Sequence, residues 1–321
     1  FFFFKASWSM ASRVLSTIIC VSGVTICISE DETVFYFGRE KQGSIDEKTF
    51  LPPTKLPLLQ QIHQISCGHG HTICLDVNGI VFTFGSNFSG QLGVGKDKEA
   101  LNYSKEPIKL DLPPVIQISS NEKGSMCLTK EGLLYSFGAN DYGQLGHGNN
   151  EESYISPTLI KSLKDIEFVE CGSDYTICKG LNNDIYAWGM NDLVELGIGN
   201  DNNQNSPVKC IDWPDDIVDI KCGGAHTLVL TNTQEVYSCG SNYSGELGIG
   251  ELTDSENFLT KLQKNENLVD IIRIGCGDNH SMCIDASGNM WVFGDNNSGQ
   301  LGLGEEVDTQ FIPAKIPSLS N

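Results

Sequence analysis

Short runs of alternating apolar and polar residues, separated by glycine-containing turns, follow one another along this chain. Residues 62–67 alternate, Gly68-His69-Gly70 turns the chain, and residues 71–76 form a second run. Val77-Asn78-Gly79 then leads to residues 80–84, which are rich in β-branched and aromatic residues. Because an Asn-Gly pair between apolar runs is a strong hairpin signal, the pattern predicts three successive antiparallel strands.

A fourth, shorter run closes the same segment. A polar loop extends from Ser86 to Gly95, and a strand is then expected from Pro107 to Leu110. Equivalent runs span Pro157–Ile160 and Pro207–Cys210. Proline at the start of a strand suits an edge position, where no ladder donor is lost.

The four-run segment recurs six times. A glycine, usually after an aromatic residue, ends each third run, and these glycines lie 47, 53, 51, 51 and 54 residues apart. They are Gly38, Gly85, Gly138, Gly189, Gly240 and Gly294. Eleven residues before each glycine is a small apolar residue, and seven residues before that is Cys or Ser. A single small sheet cannot bury both faces, so the copies must stack, as the blades of a propeller do.

The sequence therefore predicts an all-β fold: a β-propeller of six visible repeats of about 51 residues, with four short antiparallel strands per blade. Residues 1–14 are expected to form an N-terminal strand or partial blade, and residues 15–321 a single propeller domain. The number of blades, six or seven, remains open. Phe1–Trp8 weakly resembles a third strand, and Gly43–Lys48 departs from the Gly-Gln-Leu-Gly-x-Gly loop of other copies. The last fourth strand, near Phe311–Ile316, is expected to pair with the first copy and close the ring.

Charge limits the class of partner. The chain holds 21 Lys and Arg against 41 Asp and Glu, a net charge of −20. This charge repels phosphate backbones, so nucleic acid is not expected to bind directly, whereas a basic protein surface is attracted. Acidic loops are expected to form a negative rim that steers such a partner, although charge runs are usually only solvated. These loops are Glu30-Asp31-Glu32, Glu151-Glu152, Asp215-Asp216 and Glu305-Glu306.

The cysteines favour an intracellular, reducing compartment. Most occupy the two repeat positions, where Ser120 and Val229 also occur, and they lack the close spacing of zinc ligands. We interpret them as buried thiols, with cytoplasm, nucleus and cytoskeleton or cilium left open. The apolar stretch Val14–Ile28 resembles a signal peptide but falls into register with the other copies, so no membrane association is expected.

No catalytic constellation is visible. The Gly143–Gly148 loop recurs and has no helix after it, which argues against phosphate binding and favours tight structural turns. His71, His226 and His280 share a repeat position, to which Ser125 and Tyr175 are also assigned, whereas a catalytic histidine would be singular. Neither an enzyme nor a bound cofactor or metal is expected.

The repeated motif resembles the regulator of chromosome condensation repeat. The resemblance rests on Cys67-Gly68-His69-Gly70-His71-Thr72 and on the Asn87–Gly95 loop, which recurs from Asn140, Asn242 and Asn296. It spans roughly residues 15–317 and implies a β-propeller, usually of seven blades. Some plant members sense ultraviolet light through clustered tryptophans, but the Gly-Trp-Arg-His-Thr string is absent here.

Two variable residues separate Gly from His-Thr in each motif, and we call this pair the slot. The slot is a hairpin turn, so all copies should point to one face, where loops commonly carry binding. In exchange-factor members of the family, polar residues in such turns contact the GTPase Ran. By resemblance, the candidate partner-binding residues are His69, Glu122, Lys123, Asp174, Asp278 and Asn279, although any one alone is more often a solvated turn residue.

We therefore expect a protein-interaction scaffold that presents turn loops and an acidic rim to a partner protein. The alternative is a guanine-nucleotide exchange factor for Ran or a related small GTPase. This alternative is weakened because the basic tail and inserted β-wedge of the chromatin-bound members are not seen. A role as a subunit of a larger assembly also stays open.

Overall fold

A computed structural model describes residues 15–21, 24–29, 34–39, 50–56, 59–96, 101–150, 153–251, 258–304 and 306–316. Within these residues the chain forms 24 strands in six antiparallel sheets, one sheet for each repeat. This confirms the predicted all-β fold and the four-stranded blades. Among the same residues, no helix has the length and apolar character needed to span a membrane.

The first three sheets contain strands β1 to β12. The first sheet consists of β1 (Leu15–Val21), β2 (Val24–Ser29), β3 (Val34–Arg39) and β4 (Phe50–Lys55). The second consists of β5 (Ile62–Cys67), β6 (His71–Asp76), β7 (Val81–Ser86) and β8 (Tyr103–Lys109). The third consists of β9 (Val115–Ser120), β10 (Gly124–Thr129), β11 (Leu134–Ala139) and β12 (Ser153–Leu159).

The last three sheets contain strands β13 to β24. The fourth sheet consists of β13 (Ile166–Cys171), β14 (Tyr175–Gly180), β15 (Ile185–Gly189) and β16 (Gln204–Lys209). The fifth consists of β17 (Ile217–Cys222), β18 (His226–Thr231), β19 (Val236–Ser241) and β20 (Phe258–Lys264). The sixth consists of β21 (Ile271–Cys276), β22 (His280–Asp285), β23 (Met290–Asp295) and β24 (Thr309–Lys315).

The sheets group into two compact units. The first unit holds β1–β12, and the second holds β13–β24 together with the loop that starts at Asp141. Within each unit the core lies between consecutive sheets: Ile73 of the second sheet packs in one cluster with Phe137 of the third, and Leu228 of the fifth with Phe293 of the sixth. Every residue of β6, β10 and β18 is buried, because these second strands lie inside their sheets and are covered on both faces.

Antiparallel strand order gives each sheet two distinct ends. The hairpin turn between the first and second strands and the loop between the third and fourth strands lie at one end, here called the upper end. The turn between the second and third strands and the connection to the next sheet lie at the other, here called the lower end. The slot residues therefore all belong to the upper ends of their sheets.

Two expectations about the fourth strands are wrong. Strands β8, β12 and β16 begin at Tyr103, Ser153 and Gln204, three or four residues before the prolines that were expected to start them. In the second sheet the register shifts between the Gly85–Ser104 and Thr83–Ile108 pairs, so Pro107 sits in a bulge where no ladder donor is required. Among the described residues β24 pairs only with β23 of its own copy, so each sheet is built from four consecutive strands.

Some expectations concern residues outside the described part of the chain. These are the partial blade proposed for residues 1–14 and the degenerate loop Gly43–Lys48. Six blades are present among the described residues.

Candidate functional site

The backbone of the slot is held in one geometry in every described copy. In the second sheet the Ser86 amide donates to the carbonyl oxygen of Gly70 at 2.8 Å, and in the fourth the Met190 amide donates to the backbone carbonyl oxygen of Asp174 at 2.8 Å. A Cβ added to Gly85 would lie 2.4 Å from the Gly70 oxygen, and Gly85 has φ +103°. The aromatic-Gly motif thus exists because the slot carbonyl passes too close to the third strand for any side chain.

Neighbouring slots also contact each other through their backbones. In the first unit the His69 amide donates to the carbonyl oxygen of Glu122 at 2.7 Å. In the second unit the Gly224 amide donates to that of Asp278 at 2.8 Å. Within each unit, slots of consecutive sheets therefore form part of one row whose side chains alone vary.

The Gly and His of the Cys-Gly-x-x-His-Thr motif fit together as a pair. A Cβ on Gly68 would lie 2.3 Å from Cε1 of His71, and one on Gly277 would lie 2.1 Å from Cε1 of His280. The glycine leaves room for the aromatic ring that folds back over it. This part of the motif is therefore a packing requirement.

In the third copy the positions of the glycine and of the larger residue in this pair are exchanged. The prediction that Ser125 occupies the histidine position is therefore wrong. Gly124 pairs with Gly138 as His71 pairs with Gly85, so Gly124 occupies the histidine position and Ser125 matches Thr72. A Cβ on Gly124 would lie 2.8 Å from Oδ1 of Asn121. The side chain of Asn121, which stands at the position of Gly68, thus occupies the space that the histidine ring fills in the second copy.

The aromatic ring of one copy bonds to a hydroxyl of the next. Nε2 of His71 lies 3.0 Å from Oγ of Ser125, and Nε2 of His226 lies 2.9 Å from Oγ of Ser281. Ser281 in turn donates to the carbonyl oxygen of Glu246 at 2.8 Å. Burial lowers the pKa of His71 to about 4 and that of His226 to about 3. These histidines are neutral links between sheets, which agrees with a structural role for the repeated position.

Hydrogen bonds from their own side chains hold the Asn-x-x-Gly-Gln-Leu-Gly loops in shape. Oδ1 of Asn87 accepts from the Leu92 amide at 3.0 Å, and Oε1 of Gln91 accepts from the Ser89 amide at 2.8 Å. In the third copy, Gly143 has φ +77°. The prediction that these glycines serve tight structural turns is confirmed.

The fourth copy departs from this loop pattern. Val194, fully buried, has φ +59° where the other described copies have glycine, a conformation that is strained for a β-branched residue. Glu195 replaces the glutamine, is only 1% exposed, and accepts from the Leu193 amide at 3.0 Å. Burial raises its pKa to about 7, and the nearby carboxylates of Asp192 and Asp174 add to the effect.

The candidate residues divide between the two units. His69, Glu122 and Lys123 lie on the first unit, where His69 and Lys123 are exposed and Glu122 is half-buried. The second unit carries the other three. There Asp278 and Asn279 are exposed, and the half-buried Asp174 accepts from Nε2 of Gln144 at 3.1 Å.

Exposed aromatic residues accompany the slots at the upper ends. Phe88 is 78% exposed, Tyr243 55% and Tyr142 39%, all within Asn-x-x-Gly loops. They are not among the residues predicted from the repeat pattern, although an aromatic residue inside a polar loop is a signal that indicates an exposed contact residue. They add apolar contact area at the same ends of the sheets as the slots.

The acidic loops do not form one rim with the slots. Asp215 and Asp216 lie in the connection before β17, at the lower end of their sheet. Glu306 is exposed in a third-to-fourth-strand loop, at the upper end. The loops Glu30-Asp31-Glu32 and Glu151-Glu152, and Glu305, lie outside the described residues.

No disulfide joins any of the described cysteines, and each is buried or half-buried. Burial raises the pKa of Cys210 and Cys283 to about 12, so these thiols are protonated and inert as nucleophiles. Across the described residues, no group of three or more His, Cys, Asp or Glu side chains is arranged to hold a metal ion. The packing interpretation of the cysteines is consistent with this burial.

This arrangement of sheets defines a β-propeller. The chain resembles the structure of Prp20p from Saccharomyces cerevisiae, described with its binding to Gsp1p and histones, with a TM-score of 0.82, 19% identity, and coverage of 95% of this chain and 77% of the other. It also resembles human WBSCR16, with a TM-score of 0.79, 24% identity and coverage of 95% and 82%. At these identities the likeness shows the fold alone.

The repeats themselves define the family. The model of the regulator of chromosome condensation (RCC1) repeat matches residues 78–128, 131–178, 182–230, 234–284 and 287–321, and a second model of the same repeat matches four segments from residue 62 onward. The chain belongs to the RCC1 repeat family. The structure adds a first sheet, β1–β4, upstream of the matched ranges.

Curated relatives share the repeat region. The chain is 28% identical to the ultraviolet-B receptor UVR8 of Arabidopsis thaliana, covering 95% of this chain and 70% of the receptor. It is 31% identical to the kinase Nek9 of Xenopus laevis over 68% of this chain, and 30% identical to the probable ubiquitin ligase HERC3 of Homo sapiens over 63%. The matches span only 25% of Nek9 and 19% of HERC3.

Proposed function

We propose that this chain is a protein-interaction module that engages its partner through the slot side chains at the upper ends of its sheets. The observation that carries the proposal is the contrast within the slot. Its backbone is fixed by the third-strand amide and by the neighbouring slot, whereas its side chains differ in every copy. A rigid backbone with variable exposed side chains provides a pre-organised surface with little ordering cost on binding.

The upper end of the second unit favours a partner with basic side chains. Asp174 and Asp278 present carboxylates there, and Tyr243 exposes an aromatic face. Carboxylates pair with Lys and Arg, and aromatic faces attract the same cations. The net charge of −20 would speed the encounter. The described cysteines, which are buried or half-buried and form no disulfide, support placing the module in a reducing compartment, and a larger assembly is consistent with its use as a module.

Quantitative affinity capture from cell extract tests this function. The slot variant D174A/D278A/N279A is compared with wild type and with E131A/S287A, whose exposed residues lie in second-to-third-strand turns at the lower ends. A partner enriched by wild type and by E131A/S287A should fall at least tenfold with the slot variant. H69A/E122A/K123A assigns the contribution of the first unit. Equal enrichment by wild type and both slot variants would reject the slots as the binding surface.

Guanine-nucleotide exchange is the second candidate. It is favoured by the position of Asp174 and Asp278 in the slot that contacts a GTPase in exchange-factor members of the family. It is weakened by the modest third-to-fourth-strand connections, of which residues 87–102 and 242–257 are the longest. Release of a fluorescent guanine nucleotide from Ran and related GTPases tests it. Stimulated release that D174A/D278A lowers at least tenfold supports exchange, and no stimulation across the panel rejects it.

A further inference from the structure

The lower end of the second unit exposes large apolar side chains. Leu181, directly after β14, is 66% exposed. Val218 and Ile272, each the second residue of a first strand, are 59% and 45% exposed, and Val269, in the connection before β21, is 67% exposed. We call these four residues the lower apolar arc. Single exposed apolar residues are ordinary, but a set that recurs at the same end of three consecutive sheets indicates a contact surface.

Hydrogen bonds join the three sheets close to the arc. Nζ of Lys179 donates to the carbonyl oxygen of Ile217 at 3.0 Å, which joins the strand that precedes Leu181 to the strand that carries Val218. The Ile271 amide donates to the carbonyl oxygen of Gln234 at 3.1 Å, which joins the fifth and sixth sheets in the same way. The arc thus runs across the fourth, fifth and sixth sheets of one unit.

Acidic residues flank the arc. The connections 160–165, 210–216 and 265–270 contain six acidic residues and two lysines. Asp216 and Asp270 each directly precede the buried isoleucine that starts a first strand, so they border Val218 and Ile272 along the chain. A partner for this surface therefore needs both apolar and basic side chains.

Backbone groups at this end are already used. Backbone carbonyl oxygens accept the amides here: that of Asp165 from Leu181 at 2.8 Å, that of Asp216 from Asn232 at 2.9 Å, and that of Asp270 from Ala286 at 2.8 Å. An extended peptide would find these donors occupied, whereas a helix satisfies its own backbone and offers only side chains. The surface is therefore suited to a helix.

The first unit provides a natural comparison. Val77 and Ile116, 52% and 49% exposed, occupy the repeat positions of Leu181 and Val218. In sequence, however, the connections 56–61 and 110–114 contain one acidic residue, Asp111. The apolar pair without its acidic border is thus present on the same molecule.

We propose that the lower apolar arc docks a basic amphipathic helix of a partner protein. Apolar side chains spaced three and four residues apart on the helix contact Leu181, Val218, Val269 and Ile272. Lysine or arginine residues beside that stripe pair with Asp216 and Asp270. This surface lies at the opposite end of the sheets from the slots, so the chain contacts two partners at once. An anionic membrane does not fit the net charge of −20.

Fluorescence anisotropy with a labelled Leu/Lys helix of about 18 residues tests the proposal. Wild type and the matched variant V77S/I116S should bind it alike, whereas L181S/V218S should bind at least tenfold more weakly. D216N/D270N should weaken binding and reduce its salt dependence. A Leu/Glu helix of the same pattern and a scrambled Leu/Lys peptide should not bind.

Several results would overturn the proposal. They are equal binding by wild type and L181S/V218S, equal binding of the scrambled peptide, and association with anionic vesicles in place of the helix. V218K, a single change at an exposed position that repels a basic helix, covers the case in which L181S/V218S unfolds. The slot variant D174A/D278A should bind the helix as wild type does, so failure here is distinguishable from failure of the slot function.

Discussion

The imidazole of His226 and the hydroxyl of Ser281 lie 2.9 Å apart, although they belong to different sheets. The Ser281 hydroxyl also donates a hydrogen bond to the carbonyl oxygen of Glu246, in the Gly-Glu-Leu-Gly loop. Three motif elements of the repeat, the histidine, the hydroxyl residue after it and the loop, thus meet at one junction between sheets. The motifs that identify the family are therefore assembly contacts, and the residues proposed to bind a partner are the variable ones between them.

Substitution H226A should change how stability depends on pH. Burial lowers the pKa of His226 from 6.5 to about 3, so as pH falls below 6.5 the unfolded chain takes up a proton that the folded chain cannot. Wild type therefore loses stability toward pH 3, at up to about 1.4 kcal/mol per pH unit from this group. H226A should cost about 1–3 kcal/mol at pH 7.5, and this deficit should shrink at pH 5. Urea unfolding at both pH values measures it.

His63 serves as the control for that experiment. It is exposed on β5, so H63A should leave the free energy of unfolding within about 0.5 kcal/mol of wild type at both pH values. A deficit of H226A that is the same at pH 5 and pH 7.5 would contradict the assigned burial of a neutral imidazole.

Substitution G277N should be rescued by H280G. Asparagine at position 277 would place its Cβ 2.1 Å from Cε1 of His280, which the fold cannot accommodate without rearrangement. Removing the ring recreates the Asn121 and Gly124 pair of the third copy. We expect G277N to cost more than about 3 kcal/mol and the double variant to recover at least about 1 kcal/mol. Additive losses in a double-mutant cycle from thermal unfolding would argue against this exchange.

Substitution E195Q should stabilise the chain at alkaline pH. The folded-state pKa of Glu195 is raised from 4.5 to about 7, so its ionisation opposes folding as pH rises through this range. Glutamine, found at this position in other copies, carries no charge and should add about 1–3 kcal/mol at pH 8 and little at pH 4.5. The reciprocal change Q91E should lower stability at pH 8. Guanidinium unfolding at the two pH values checks both, and a gain for E195Q that does not vary with pH would contradict the explanation.

Substitution K221M should destabilise the chain mainly at high pH. Nζ of Lys221 lies 3.7 Å from Oε1 of Glu170 and 3.1 Å from Oδ1 of Asp219. Burial raises the pKa of Glu170 to about 7, and Lys221 opposes that rise. Without Lys221 the pKa should rise further, so the stability lost at pH 8 should be partly regained at pH 5.

The surface pair of Lys209 and Asp184 gives a matched control for K221M. Its nitrogen and oxygen lie 2.6 Å apart, but the Lys209 side chain is 58% exposed. K209M should therefore leave the free energy of unfolding close to that of wild type at either pH. Equal losses in the free energy of unfolding for K221M and K209M, measured by urea unfolding, would contradict the role given to the burial of Glu170.

Local spacing was sufficient to predict the strands and the slot, because Gly85 and Gly294 mark the ends of equivalent third strands. Local spacing did not place Pro107 correctly. The pattern put this proline at the start of its strand, but it lies in a bulge inside the strand. Local spacing also could not place the partner of His226, which lies 55 residues away in the next sheet.

The lower apolar arc was missed for a related reason. Val218 follows the alternation of a strand, and an apolar residue in such a run is ordinarily interpreted as core. Its exposure depends on the end of the sheet at which it lies, which only the packed sheets reveal. The acidic pair Asp215-Asp216 was likewise assigned to a common rim, because strand direction is needed to place a connection at one end or the other.

The pairing of β24 with β23 has a kinetic meaning. Since each of the six sheets is formed by four strands that follow one another in the described part of the chain, each sheet is complete once its own segment of about fifty residues has been synthesised, and the strand pairing is local in sequence. Such a chain can fold one sheet after another as it leaves the ribosome, without waiting for a distant strand. Only the junctions such as His226 with Ser281 must wait for the next copy, so we expect sheet formation to precede the locking of sheet to sheet.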